Sequence, residues 1–205
     1  MIDKNGTLLV ISAPSGTGKT TIVKQLMLQN KNMKASVSYT TRDMRPNETN
    51  GLDYIFVTTK IFESMIVQNM FLEFANVFGH YYGTPTKETL ETLSQGYTII
   101  LEIDWQGAEQ IRLERPDSIS IFLLPPSKEE LKKRLTRRAT DSSDQIELRF
   151  QEAIKDIEQY SYFDRVIVNK DVDSTCEEIM SCINKLDSSK PNVNEEALAV
   201  IRSFM

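Results

Sequence analysis

Lys19 and Thr20 close the stretch "APSGTGKT", Ala13 to Thr20, in which two glycines spaced by one residue stand just ahead of a lysine. Glycines at these places let successive backbone N–H groups turn inward on one anion. A lysine and a hydroxyl residue directly behind them suit a polyphosphate. The ammonium reaches the outer phosphates, and the Thr20 hydroxyl can ligate a magnesium ion. The pattern is that of the nucleotide-binding phosphate loop (P-loop), with Ala13 where glycine is usual. A negative φ at residue 13 would remove the need for glycine there. The cradle runs through Ser15, Gly16, Thr17, Gly18, Lys19, Thr20 and Thr21, and it implies ATP with Mg2+.

A second cationic stretch is "TTRDMRPNETNGLDY", Thr40 to Tyr54. Alone, Arg42 and Arg45 read as solvated loop charge. Tyr54 follows them, and "GHYYGT" adds Tyr81 and Tyr82. Guanidinium forks and tyrosine hydroxyls are natural donors to a phosphate dianion. Two anion sites in one chain suggest a donor and an acceptor, and hence phosphoryl transfer. A third cluster lies in residues 128–149, where Lys and Arg outnumber Asp and Glu within a chain of net charge −5. Arg134 and Arg138 share one helix face, and Arg149 lies beyond the next turn. The segment reads either as a solvated helix pair or as a lid that brings arginines to a transferring phosphate and expels water.

Parallel α/β architecture would position these residues. "TLLVIS" (7–12) is a short apolar run that reads as a buried strand, followed by the glycine turn and a helix with Ile22, Val23, Leu26 and Met27 on one face. "YTIILEID" (97–104), "ISIFLL" (119–124) and "RVIVN" (165–169) read as further buried strands. Helices are expected from Thr84-Pro85 to about Gly96 and from Trp105 to Arg115. Another is expected after Asp173, opened by the capping box Ser174-x-x-Glu177, with Cys176, Ile179, Met180, Ile183 and Leu186 on its apolar face. Residues 36–84 break the alternation with short strand-like pieces and a helix near 60–69, which suggests an inserted lobe. Residues 127–160 read as a helical pair. Ser127 with Glu130 caps the first helix and Ser142 with Gln145 the second; Leu131 and Leu135, then Ile146, Phe150, Ile154 and Ile157, form the stripes. Residues 187–193 read as a linker to a short terminal helix.

Several of these segments together resemble the guanylate kinases, P-loop enzymes that phosphorylate GMP from ATP. The motifs are "SAPSGTGKTT", "SVSYTTRDMRPNETNGLDYIFV", "FLEFANVFGHYYGT", "EIDWQGAEQIR", "PPSKEELKKRL" and "VIVN", in order over the chain to about residue 186. The resemblance implies one three-layer α/β/α domain over 1–205: a P-loop core with a parallel central sheet, a mixed α/β GMP-binding lobe at 36–84 and a helical lid at 127–160. It implies that Lys19 and Thr20 serve ATP and Mg2+. Arg42, Arg45, Tyr54 and Tyr82 would hold the GMP phosphate; Ser38, Glu73, Thr84 and Asp104 would surround the guanine, and Glu102 would contact the substrates or the metal's water shell. Arg134, Arg138 and Arg149 would be the lid arginines, and Asn169 would stand beside adenine. A carboxylate suits guanine, which offers N1–H and a 2-amino group; adenine would leave it unpaired, at roughly 1–3 kcal/mol or more. The chain departs from the family pattern at Glu102, where Asp is usual, at Ala139, where Gly is common, and at Lys170, where an acid often follows Asn169.

The resemblance implies a transferase making GDP and ADP from GMP, and accepting dGMP, in purine nucleotide metabolism. The rivals are a related P-loop kinase for a phosphorylated sugar and a non-catalytic guanylate-kinase-like protein-binding module. Net charge −5 disfavours a broad nucleic-acid footprint. A single histidine, His80, disfavours His-based nucleophilic or zinc chemistry. Cys176 and Cys182 are six apart and read as separate packing thiols of a reducing compartment. With no long apolar run and no signal-type start, the expectation is a cytoplasmic protein without a membrane partner. Oligomeric state stays open.

Overall fold

A computed structural model describes residues 6–136, 143–184 and 192–205. The elements run β1 (Leu8–Ser12), α1 (Lys19–Gln29), β2 (Met33–Ala35), β3 (Tyr39–Thr40), β4 (Ile55–Phe56), α2 (Thr59–Val67), β5 (Phe71–Val77), β6 (His80–Pro85), α3 (Thr86–Ser94), β7 (Thr98–Glu102), α4 (Trp105–Glu114), β8 (Ile119–Leu124), α5 (Lys128–Thr136), α6 (Ser143–Glu158), a 3-10 turn (Gln159–Tyr162), β9 (Arg165–Val168), α7 (Val172–Asn184), β10 (Asn192–Val193) and α8 (Glu195–Phe204). The class is α/β, with a six-stranded parallel sheet in the order β10-β9-β8-β1-β7-β2 and a four-stranded mixed sheet in the order β4-β3-β6-β5. Among the described residues no helix is long and apolar enough to cross a membrane.

Every residue of β1 and β8 is buried, as a parallel sheet covered on both faces requires. The chain divides into two compact units. One comprises residues 6–9 and 31–118; the other comprises 10–30 and the described residues from 119 onward.

In the first unit β2 pairs in parallel with β7, from Met33 opposite Thr98 to Ala35 opposite Ile100. The mixed sheet is built on the β5–β6 hairpin, whose two-residue turn Phe78-Gly79 has φ of 53° and 80°. Both residues are left-handed, the geometry that matches the twist of paired strands. Phe62 of α2 is fully buried and stacks between Phe71 (4.4 Å) and Tyr81 (5.2 Å), which locks the helix to that sheet. Gly83 stands beside them, where a Cβ would lie 2.8 Å from Phe71 and 2.9 Å from Phe62.

In the second unit β8 and β9 pair in parallel from Ile121 opposite Arg165 to Leu124 opposite Val168. α1 packs on α7 through buried Ile22, Val23, Leu26, Cys176 and Ile179. α5 packs on α6, with Leu131, Leu135, Phe150, Ala153 and Ile157 buried; Ile146 and Ile154 are half-buried. Both cysteines are free thiols, Cys176 buried and Cys182 partly so.

Some element boundaries differ from expectation. Thr84 and Pro85 end β6, and α3 starts at Thr86. A residue before proline avoids the helical region, and here it pairs with Glu73 across the hairpin. α7 starts at Val172, not after Asp173. Asp171 caps it, accepting the Ser174 N–H at 2.9 Å and the Ser174 hydroxyl at 2.5 Å, so Ser174 belongs to the first turn. Asn192 and Val193 are a strand beside β9, not linker. Ser142, Leu186 and 187–191 lie outside the described residues.

Candidate active site

The donor-type features fall in the second unit. Gly16 (φ 90°) and Gly18 (φ 101°) are left-handed, and α1 begins at Lys19 with no side-chain cap. First-turn N–H groups and a positive helix end make an anion cradle. A Cβ on Gly18 would come 2.9 Å from Asn169 Nδ2, and one on Gly16 3.0 Å from Leu135. Ala13 is not among the positive-φ residues, so the loop needs no glycine there. Ser15 and Lys19 are half-buried, Thr17 is buried, and Thr20 and Thr21 are exposed on the first turn.

The Thr17 carbonyl ties the loop to two other elements. It accepts Asn169 Nδ2 at 2.7 Å and Arg134 Nη1 at 2.9 Å. Asn169 is only 4% exposed, and its Oδ1 accepts the Thr175 hydroxyl at 3.1 Å. One amide N–H thus holds the loop at Thr17, while the amide oxygen holds Thr175 of α7. Arg134 is aimed by Glu130 one turn earlier on α5, at 2.9 Å from its Nε. Arg149 is half-buried on α6. Arg138 and Ala139 lie outside the described residues. A cavity of about 290 Å³ is lined by Gly16, Gly18, Thr21, Arg134, Asn169 and Lys170, among others.

The cradle fits nucleotide phosphates by conformation and by donor type. For Mg2+, the described residues hold no group of three acidic, histidine or cysteine side chains able to cage an ion. A hard cation that usually keeps waters and phosphate oxygens as ligands needs no such cage, and the Thr20 hydroxyl on the first turn of α1 suits it.

The acceptor-type features fall in the first unit. Arg42 Nη2 donates to Glu48 Oε1 at 2.7 Å and Nη1 to the Asp43 carbonyl at 2.6 Å. Glu48 Oε2 accepts the Arg45 N–H at 2.8 Å, and the Glu48 N–H returns to the Arg45 carbonyl at 3.0 Å across the Pro46-Asn47 turn. The Arg45 side chain is 53% exposed and 3.8 Å from the same carboxylate. Burial alone would lower the Arg42 pKa and raise that of Glu48. Their mutual hydrogen bond reverses both, aided at Arg42 by Tyr82 and at Glu48 by the Arg45 N–H.

The Arg42 guanidinium lies 5.5 Å from the Tyr54 ring centre, and Tyr54 meets Tyr82 edge-on at 5.8 Å. Burial, then the Glu102 charge, pushes the Tyr54 phenol far up, so it remains a donor at neutral pH. Arg42, Tyr54 and Tyr82 thus converge, with Glu48 as a member that sequence reasoning missed. A proline–asparagine turn that folds a glutamate back on two arginines is the signal that would have found it.

Glu73 is 3% exposed, and its Oε1 accepts both the Thr84 N–H (3.0 Å) and the Thr84 hydroxyl (2.5 Å). The two face each other across the β5–β6 hairpin. Gly107 of α4 makes room for the other oxygen, because a Cβ there would lie 2.3 Å from Glu73 Oε2. Asp104 caps α4, accepting the Gly107 N–H at 2.9 Å on Oδ1 and Gln106 Nε2 at 3.0 Å on Oδ2. Ser38 and Glu102 are half-buried, and the Ser38 carbonyl accepts the Ile55 N–H at 2.9 Å. Glu73, Thr84 and Asp104 are therefore brought together around Gly107, a residue that sequence reasoning did not single out.

Residues 5–186 match the family model described as guanylate kinase. A guanylate kinase of Alkalilimnicola ehrlichii is 43% identical over 194 residues, 93% of this chain and 96% of that protein. One of Vibrio parahaemolyticus is 49% identical over 171 residues, 82% of this chain and 83% of its own length. The crystal structure of guanylate kinase from Anaplasma phagocytophilum superposes with a TM-score of 0.73 at 34% identity, covering 88% of this chain and 86% of that one.

Proposed function

The chain belongs to the guanylate kinase family and is an ATP:GMP phosphotransferase, and we propose that the residues described above divide the reaction between a donor set and an acceptor set. The observation that carries the residue assignment is the buried Glu73 carboxylate. One of its oxygens is fixed by two donors from Thr84, and the other is given space by Gly107. A buried acceptor suits the N1–H and 2-amino donors of guanine and disfavours adenine, which lacks them. Thr84, Asp104 and Ser38 complete the base side, and Glu102 contacts the substrates.

Arg42, Tyr54 and Tyr82 hold the acceptor phosphate, with Arg45 as a more exposed cation. Their charge offsets the repulsion between two anionic substrates. An oxygen of the GMP phosphate attacks the γ-phosphorus of ATP in line; the bond from that phosphorus to the bridging oxygen breaks, and ADP leaves with the electron pair. No side-chain nucleophile is required. The backbone from Ser15 to Thr21, with Lys19, orients the donor phosphates. Arg134, Arg138 and Arg149 stabilise charge on the equatorial oxygens. When bound, Mg2+ would neutralise phosphate charge, and the Thr20 hydroxyl would be a protein ligand to it.

In this reading 1–205 is a single domain, 36–84 its GMP-binding lobe and 127–160 its lid, with the remainder as P-loop core. dGMP is a second acceptor. The two free thiols support a cytoplasmic setting.

The test is a coupled ADP-release assay with GMP, dGMP, AMP and ribose phosphates. Strong turnover with GMP and dGMP, with AMP and the sugar phosphates near background, is the expected pattern. Comparable turnover with a ribose phosphate would point to the sugar-phosphate kinase instead, and absence of turnover with all of them to a binding module.

A further inference from the structure

Lys170 lines the same cavity as Gly16, Gly18 and Asn169, and its ammonium is paired with Glu196. Glu196 lies in the first turn of α8, a helix beyond residue 186, where the family match ends. That helix is firmly seated. Asn194 caps it by accepting the Ala197 N–H at 2.8 Å. Just ahead of it, β10 pairs with β9 through Asn192 opposite Arg165 and Val193 opposite Val166. Ala197, Ile201 and Phe204 are buried, and α8 packs on β8, β9 and α6. Lys170 is fixed at its own base, one residue past the buried Asn169, with its N–H on the Val168 carbonyl at 3.0 Å. A seated helix therefore presents a carboxylate to the one lysine described on the wall of this cavity.

The pair contributes little to folding, since its side chains are 57% and 47% exposed. Its consequence is geometric. A lysine carries a compact charge on a flexible stem with three donors and no acceptor, so a partner that restricts the stem decides where those donors point.

We infer that Glu196 is a positioning residue for the donor nucleotide: it holds Lys170 so that the ammonium donates to acceptor atoms of the nucleotide in this cavity. α8 is on this account a working part of the donor side. The inference rests on the reading that the cavity takes ATP.

The experiment is a double-mutant cycle of Lys170→Met and Glu196→Gln. ATP KM, GMP KM and melting temperature are measured for all four proteins, together with equilibrium titration by a non-hydrolysable ATP analogue. Each single variant should raise ATP KM and weaken the analogue about twofold to fivefold, the range that an exposed ion pair covers. GMP KM and melting temperature should hold. Glu196→Gln should add nothing once Lys170 is Met, because its effect runs through that side chain. Glu196→Asp, which keeps the charge on a shorter stem, should fall between wild type and Glu196→Gln. Unchanged ATP KM in both single variants, or an equal Glu196→Gln effect with and without Lys170, overturns the inference. Lys19→Met is run alongside. If it weakens the analogue while the other variants are silent, only this inference fails; if it too is silent, the ATP reading of the cavity fails with it.

Discussion

Arg42 and Glu48 are joined by a 2.7 Å hydrogen bond, with side chains only 12% and 14% exposed. The glutamate is itself held by the Arg45 N–H, so it orients the guanidinium from a fixed base. Glu48→Gln keeps an acceptor for that N–H but removes the charge that aims Arg42. GMP KM should rise about tenfold, within the range for losing a charge-assisted hydrogen bond, with ATP KM changed less than about twofold. Steady-state kinetics with each substrate varied in turn checks this. A fall in GMP KM would show instead that Glu48 competes with the phosphate.

The same pair sets an acid limit. The folded Glu48 pKa lies below its ordinary value of 4.5, because Arg42 and the Arg45 N–H outweigh burial. A lowered folded pKa means that the contribution is fully present above about pH 4.5 and is lost as pH falls through the folded value. The melting-temperature gap between wild type and Glu48→Gln should therefore be constant at neutral pH and close progressively below 4.5. Melting curves from pH 7 to pH 3 test the sign; a gap that widens on acidification would contradict it.

Glu73 and Thr84 make the specificity argument testable. Glu73→Gln removes the charge and turns one acceptor atom into a donor facing the guanine N–H groups. Hydrogen bonds to charged groups contribute about 1.5–3 kcal/mol, so kcat/KM for GMP should fall roughly ten- to a hundredfold. The residual rate with AMP should hold or rise, so the GMP to AMP ratio collapses. Proportional loss with both nucleotides would mean that Glu73 supports the hairpin without reading the base.

Continuous apolar runs made β1, β7, β8 and β9 legible, because strands buried on both faces leave that trace. Three-residue β2, "MKA", has no such trace; its extended form comes from pairing with β7. The β5–β6 hairpin was hidden by its turn, where Phe78 takes a left-handed φ that sequence reasoning assigns to glycine or asparagine. The phosphate loop was readable because its residues are contiguous. The internal use of Asn169 was not, because the Thr17 carbonyl that it braces is 152 residues away in the chain. Glu48 and Gly107 were missed for a related reason: each acts on a neighbour that only the folded turn or helix brings near.

Gly107 carries the last prediction. It is the third residue of α4, where glycine is less favourable than alanine by up to about 1 kcal/mol in a helix interior. Propensity alone would thus make Gly107→Ala stabilising. The added methyl, however, would lie 2.3 Å from Glu73 Oε2 and 3.0 Å from its carboxyl carbon, closer than van der Waals contact allows. Glu73 cannot swing aside freely, since its other oxygen is bound twice by Thr84 and the side chain is buried. The carboxylate must shift away from the position in which it meets guanine. Gly107→Ala should therefore raise GMP KM more than tenfold and lower the GMP to AMP ratio, with a melting temperature at or modestly below wild type, because the helix gain offsets only part of a strain of roughly 1–3 kcal/mol. Combined with Glu73→Gln the loss should be less than additive, because both changes act on one carboxylate. Full additivity, or a Gly107→Ala enzyme with unaltered GMP kinetics, would show that the space beside Gly107 is not what sets the Glu73 position.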